Sequence, residues 1–372
     1  MVHSFRKRSG ILFAAAALFL SVPSFACTSV IISGKMRADG RPVMFKHRDT
    51  GNLNNKIEWF QGEKYTFIAL VNSDWKTKPT VKEPFHGAEA WSGTNSAGFC
   101  IMNTATYDLK DDDVPDSMMD REGQVMYRAL EICRNLADFE TLLDTLRRPI
   151  GVETNFGVID AEGGAAYYEV NNHSWVKFDV NKDKEGYRVV TNFTRTGRVE
   201  DRKGVDRFEK AGLFMESAID GWSECIPHKK LINGISRSGK PILRNITSAV
   251  VAFEGVKAGD DPVKTVMWTA LGWPATTVYV PLMVLHGDHI PSYLKGEGNA
   301  ILCDNALAMK DNDYSVECAR AETFIDPGFE DIYMKFASGK ISEKSFCKKY
   351  DRLTGKYFKV YNRIFADLLK ND

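Results

Sequence analysis

The stretch SVPSFACTSVIISG, residues 21–34, puts a cysteine directly behind a small-x-small triplet, Ser24-Phe25-Ala26, and ahead of a short β-branched run. Upstream, the cations Arg6, Lys7 and Arg8 precede a largely apolar segment, residues 11–22. That three-part layout is a secretory leader, with cleavage expected after Ala26 and Cys27 as the first residue of the mature chain. A periplasmic or secreted location follows as the expectation. The apolar segment of 12 residues falls short of the roughly 20 that span a bilayer. No comparable run recurs downstream, so no membrane span is expected.

The chain of 372 residues carries 49 basic and 49 acidic side chains. Removing the leader leaves 46 cations against 49 acids. Near neutrality argues against a nucleic-acid partner, which selects a basic surplus gathered on one face. Asp111-Asp112-Asp113 reads as a solvated loop. Besides Cys27, cysteines stand at Cys100, Cys133, Cys225, Cys303, Cys318 and Cys347 with no CxxC spacing, so a zinc site has little support. An oxidising compartment permits disulfides. Cys303 and Cys318 are near enough in sequence to close a short loop, whereas Cys100 and Cys133 read as buried thiols. The roughly 346 residues after Ala26 show no Pro/Gly/Ser-rich linker, repeat or low-complexity tract. One domain is expected over 27–372, with a mostly helical extension at about 325–372.

From Cys27 onward the first half reads as strands at 28–33, 42–47, 56–61, 65–71 and 99–104, with Asp39-Gly40 as a hairpin turn between the first two. Apolar spacing of three to four predicts helices over 124–133 and 136–146, the second ending before Pro149. NFGVIDAEGGAAYYEV (155–170) predicts a hairpin about Glu162-Gly163-Gly164, and no GK[ST] follows to make those glycines a phosphate loop. Then come a strand at 187–191, a helix at 206–218, strands at 248–253 and 278–284, and a helical tail over 330–369. MWTALG (267–272) and GWPATTVYVPL (272–282) suit core strands or a pocket wall equally. HGDH (286–289) sits among glycine and proline and reads as a turn rather than a metal site. The alternation predicts a layered α+β fold with helices over stacked sheets. Periodicity leaves open whether there are one or two sheets.

A thiol attacks carbonyls as thiolate, and its reference pKa of about 8.5 keeps it largely protonated at neutral pH. An α-amino group titrates near 7.7–8.0 and is within reach of its own side chain, directly or through one water. Cleavage before Cys27 would therefore give one residue both nucleophile and base. The competing reading is a lipoprotein, with Cys27 lipidated, its amine blocked and the chain serving as a binding module. Ser24 and bulky Phe25 depart from the branched and small residues usual before a lipidated cysteine, yet the leader alone leaves both open. GRPVMFKHRDT (40–50) favours the nucleophile. If that strand pairs with the one starting at Cys27, its end returns to the new terminus. There Asp49 can hold the ammonium or thiol, and Lys46, His47 or Arg48 can favour the thiolate.

The ordered set CTSVIISG (27–34), GRPVMFKHRDT (40–50), GTNSAGFCIMNTA (93–105), FGVIDAEGGAAYYEV (156–170) and VVTNF (189–193) resembles the cysteine N-terminal nucleophile (Ntn) hydrolases. The similar branch contains choloylglycine hydrolases, penicillin V acylases and the isopenicillin-N acyltransferase/carcinine hydrolase group. The resemblance implies a four-layer αββα sandwich of two antiparallel sheets. It also implies an amidase or acyltransferase acting on linear C–N amide bonds through an acyl thioester, without metal or organic cofactor. Cys27 falls on the nucleophile, Asp49 on the aspartate that holds it, and Asn103 and Asn192 on asparagines that hold the substrate carbonyl and its oxyanion. Lys46 takes the spacing of a family arginine with Arg48 beside it, so which cation assists stays open. Arg207 resembles a later arginine that opens a helix, with Arg237 and Arg244 as alternatives. The implied partner is a small-molecule amide; dipeptide-like substrates, bile-acid conjugates, acyl amino acids, β-lactams and lactones all stay open, as does a homo-oligomer.

Overall fold

The computed structural model describes residues 26–76, 85–219 and 228–366. The leader expectation, Cys225 and the last residues of the tail lie outside them. In chain order the elements are β1 (Thr28–Ile32), β2 (Val43–Asp49), β3 (Asn55–Gln61), β4 (Thr66–Asn72), β5 (Ser92–Asn95), β6 (Cys100–Ala105), α1 (Glu122–Ile132) and α2 (Leu136–Thr145). There follow β7 (Thr154–Ile159), β8 (Ala165–Val170), β9 (Trp175–Asp179), β10 (Tyr187–Val190), α3 (Val205–Ile219), α4 (His228–Leu231), β11 (Thr247–Glu254), β12 (Val266–Leu271) and β13 (Val280–Leu282). The chain ends in α5 (Ile301–Ala308), α6 (Ser315–Ala337) and α7 (Glu343–Ile364).

Two antiparallel sheets form, which settles the question periodicity left open. One has the order β10-β1-β2-β11-β12-β13; the other is the meander β3-β4-β5-β6-β7-β8-β9. Pleating sends alternate residues of β2 to opposite faces. Lys46 and Arg48 point at the second sheet, where Arg48 meets Asn55 and Asn72. Phe45, His47 and Asp49 point the other way. Between the sheets the Tyr167 hydroxyl of β8 donates to Ser29 Oγ of β1 at 3.0 Å. Contact is so close there that a Cβ on Gly157 of β7 would sit 3.3 Å from Ile31 of β1.

Helices cover both outer faces. Val125, Met126 and Leu130 of α1 and Phe139 and Leu143 of α2 pack on Phe99, Ile101, Phe156 and Tyr168 of the second sheet. Residues of α3, α6 and α7, such as Met215, Phe329 and Tyr357, bury the first sheet's outer face around Trp268 and Tyr279. The result is the expected four-layer αββα sandwich.

Three local expectations are corrected. Asp39-Gly40 does not form a two-residue hairpin: residues 33–42 make a longer loop with a short 3-10 turn, and Asp39 accepts from the Arg37 side chain and the Arg41 N–H. Cys303 and Cys318 are not bonded to one another. They lie on α5 and α6 against the carbonyls of Leu53 and Ala275, and all six cysteines among the described residues are thiols. The strand foreseen at 278–284 narrows to β13, while MWTALG is the core strand β12.

Candidate active site

Cys27 precedes β1, whose Thr28 and Ser29 pair with His47 and Lys46 of β2. It is 5% exposed, with Sγ 3.9 Å from the Asp49 carbonyl oxygen. On the inter-sheet face Lys46 Nζ donates to the Trp91 carbonyl at 2.6 Å and to Asn103 Oδ1 at 2.8 Å. The Arg48 guanidinium donates to Asn55 Oδ1, to Asn72 Oδ1 at 2.8 Å and to Ser248 Oγ at 3.4 Å, and lies 5.2 Å from the Trp91 ring. Burial pushes the Lys46 ammonium down to about 7, the Cys27 sulfur opposing the fall and Arg48 adding to it. Burial likewise brings Arg48 down to about 10, again with Cys27 opposing. An anionic sulfur at Cys27 would stabilise both cations.

The opposite face of β2 holds Asp49. Its Oδ1 accepts from Thr247 Oγ1 at 2.7 Å and lies 3.1 Å from His47 Nε2, while His47 Nδ1 sits 2.9 Å from Ser236 Oγ. Asp49 Oδ2 is buried without a hydrogen bond, and the Arg244 guanidinium is 3.8 Å away. A buried acceptor left without a donor costs about 1–3 kcal/mol, more when charged.

Arg207 arrives from the first turn of α3. It donates through Nη1 to the Cys27 carbonyl and, at 3.3 Å, to Thr28 Oγ1; through Nη2 it reaches Asn192 Oδ1 at 2.7 Å. Asn192 Nδ2 in turn donates to the Ala105 carbonyl at 2.6 Å, which ties the end of β10 to β6. Asn103 Nδ2 makes only a long contact, 3.4 Å, to Thr154 Oγ1. Gly204, just before α3, has φ +76°, and a Cβ there would lie 2.1 Å from Arg207 Nη2.

The chain is similar to several solved structures at low sequence identity. A variant of conjugated bile acid hydrolase from Clostridium perfringens is 10% identical with a TM-score of 0.44, over 70% of this chain and 92% of that one. A Caenorhabditis elegans N-acylethanolamine-hydrolyzing acid amidase ortholog is 13% identical with a TM-score of 0.46, over 63% and 93%. Penicillin V acylase from Agrobacterium tumefaciens is 14% identical with a TM-score of 0.41, over 69% and 86%. Each is an Ntn hydrolase. No family model and no curated protein matches the chain.

Cys27, Lys46, Arg48, Asp49, Asn103, Asn192 and Arg207 thus share one neighbourhood. Of the alternatives to Arg207, Arg244 borders it through Asp49. Arg237 does not, being held by Glu322 and the carbonyls of Pro274 and Thr277. Sequence reasoning missed the residues that fix these side chains: Asn55, Asn72, Trp91 and Thr247. No local pattern marks them, since each acts through a partner on another strand. Among the described residues the one group able to offer three ligands to a metal is Asp111, Asp113 and His173 at the surface. There the Asp111 carboxylate accepts from Asn171 and Asn172 while His173 pairs with Asp113. In HGDH, His289 pairs with Asp351 at 3.2 Å, as suits a surface turn.

Proposed function

We propose that this chain is a secreted or periplasmic hydrolase, or acyltransferase, of the cysteine Ntn type, cleaving linear amides through a thioester on Cys27. The observation that carries the reading is the combination of a buried Cys27 with the donorless Asp49 Oδ2 at the junction where a leader is expected to be removed. An ammonium created at Cys27 supplies the kind of donor that oxygen lacks.

In this reading the neutral amine takes the thiol proton and the thiolate adds to the amide carbon. Negative charge develops on the carbonyl oxygen. Each of Asn103 and Asn192 has an amide N–H beyond its observed bond, and one fixed donor to an oxyanion is worth about 2.7–4 kcal/mol of barrier. Collapse breaks the C–N bond as the ammonium protonates the leaving nitrogen. Water, deprotonated by the amine, then attacks the thioester, releasing the acid and restoring the thiol; an acceptor amine in place of water gives acyl transfer. Arg207 positions rather than reacts: it fixes the Cys27 carbonyl and the Asn192 amide in one fork.

Mass spectrometry of the mature N-terminus, with turnover of an acyl-amide panel by wild type, Cys27→Ala and Cys27→Ser, tests this. A free Cys27 terminus, an inactive alanine variant and a serine variant slower by about 100-fold or more are expected. A lipidated or uncleaved Cys27, or full turnover by Cys27→Ala, overturns it.

A further inference from the structure

Beside Arg207 and Arg244 lies an open cavity of about 580 Å³ between the start of α3 and the loop that leads into β11. Lys203, Arg207, Lys240 and Arg244 line it against one acid, Asp206. That imbalance stands out in a chain with equal numbers of acids and bases. Its inner wall touches the candidate site directly: Arg207 binds the Cys27 carbonyl, and Arg244 is 3.8 Å from Asp49 Oδ2. Its outer wall is Lys203 and Lys240, both exposed and, among the described residues, without an ion pair. The loop is fastened rather than loose, because Lys210 of α3 donates to the carbonyls of Ser238, Gly239 and Lys240. The first turn of the 15-residue α3 opens into the same space, and a helix N-terminus adds positive potential.

We propose that this cavity binds a carboxylate carried by the substrate, so that the amides turned over are acyl amino acids or similar carboxylate-bearing amides rather than neutral ones. The inference rests on the function proposed above and deepens it. Two unpaired ammoniums and the exposed edge of the Arg244 guanidinium form a divided cationic wall, which suits a small anion held by several donors. The volume lies within the roughly 300–1,000 Å³ usual for small-molecule sites, leaving room for an amino-acid side chain beside the carboxylate.

The test pairs N-acylglycines with their glycinamides, using acetyl, octanoyl and phenylacetyl chains. Direct binding to the Cys27→Ala protein is measured by calorimetry, and turnover is measured with the wild type. At least one acid should bind about tenfold or more tightly than its amide, with the preference shrinking between 50 mM and 500 mM salt as expected for partly exposed charges. A Lys203→Gln/Lys240→Gln variant should lose most of that preference through KM while turning over glycinamides as before. Equal binding of acid and amide for all three chains, or a preference untouched in the double lysine variant, overturns the cavity assignment. Acid binding without turnover by a protein with a free Cys27 terminus sinks the proposed reaction and leaves the cavity assignment standing.

Discussion

At the scale of single residues the site depends on Gly204, which touches no substrate. Its φ of +76° is a conformation that costs an L-residue about 1–2 kcal/mol. The space a Cβ would need is held by the Arg207 guanidinium, whose two arms join Cys27 to Asn192. Gly204→Ala is expected to displace that fork and lower kcat/KM by about 10- to 100-fold, the scale at which misplacements near 1 Å act. Urea denaturation should show a loss of about 1–2 kcal/mol. Unchanged kinetics would mean that Arg207 does not position the nucleophile. The sequence displayed Cys27 and Asp49 by their places behind a small-x-small triplet and at the end of a charged strand. It could not display the bonding of Asn192, whose amide joins a carbonyl 87 residues away.

At the scale of elements, α1 carries a buried acid in its first turn. Glu122 accepts from the Glu153 N–H, and burial pushes its carboxyl up to about 8 from the ordinary 4.5. Between those values the folded chain holds a proton that the unfolded chain has released, so folding stability falls as pH rises through this window. Glu122→Gln keeps the acceptor and removes the titration. Its thermal midpoint should exceed that of the wild type by roughly 2 °C or more at pH 8 and by less at pH 5, as calorimetry at both values would show. A gain independent of pH would refute the protonated state. Elements also mark the limit of local reading. The strands β2, β6, β7 and β8 and helices α1 to α3 follow their periodicity closely. Strand β5, Ser-Gly-Thr-Asn, has no such pattern. It is a strand because Gly93 admits close approach of Ile68 and Leu130, a Cβ there lying 2.7 Å from both the Ile68 carbonyl and Leu130 Cδ1.

At the scale of the molecule, an ion pair buried beneath the helical layer ties α6 to the segment between α4 and β11. Arg237, in the segment between α4 and β11, meets Glu322 of α6 at 2.6 and 2.9 Å, with side-chain exposures of 3% and 0%. Removing one partner strands the other charge, so Glu322→Ala should cost about 3–5 kcal/mol in urea denaturation, whereas Arg237→Met/Glu322→Leu should cost much less. Equal losses would show that packing, not charge, governs this junction. By itself the sequence determined the layered α+β class, most of the strands and helices, and the small-x-small triplet ahead of Cys27, because pleat, helical period and residue composition are local properties. Tertiary structure alone decided that Lys46 and Arg48 are buried beside the thiol and that Asp49 keeps one oxygen without a hydrogen-bond donor. Those facts depend on strands far apart in the chain meeting in one register, and a register is fixed by burying a face of the sheet against other layers, since a slip of one residue would turn every side chain to the other face.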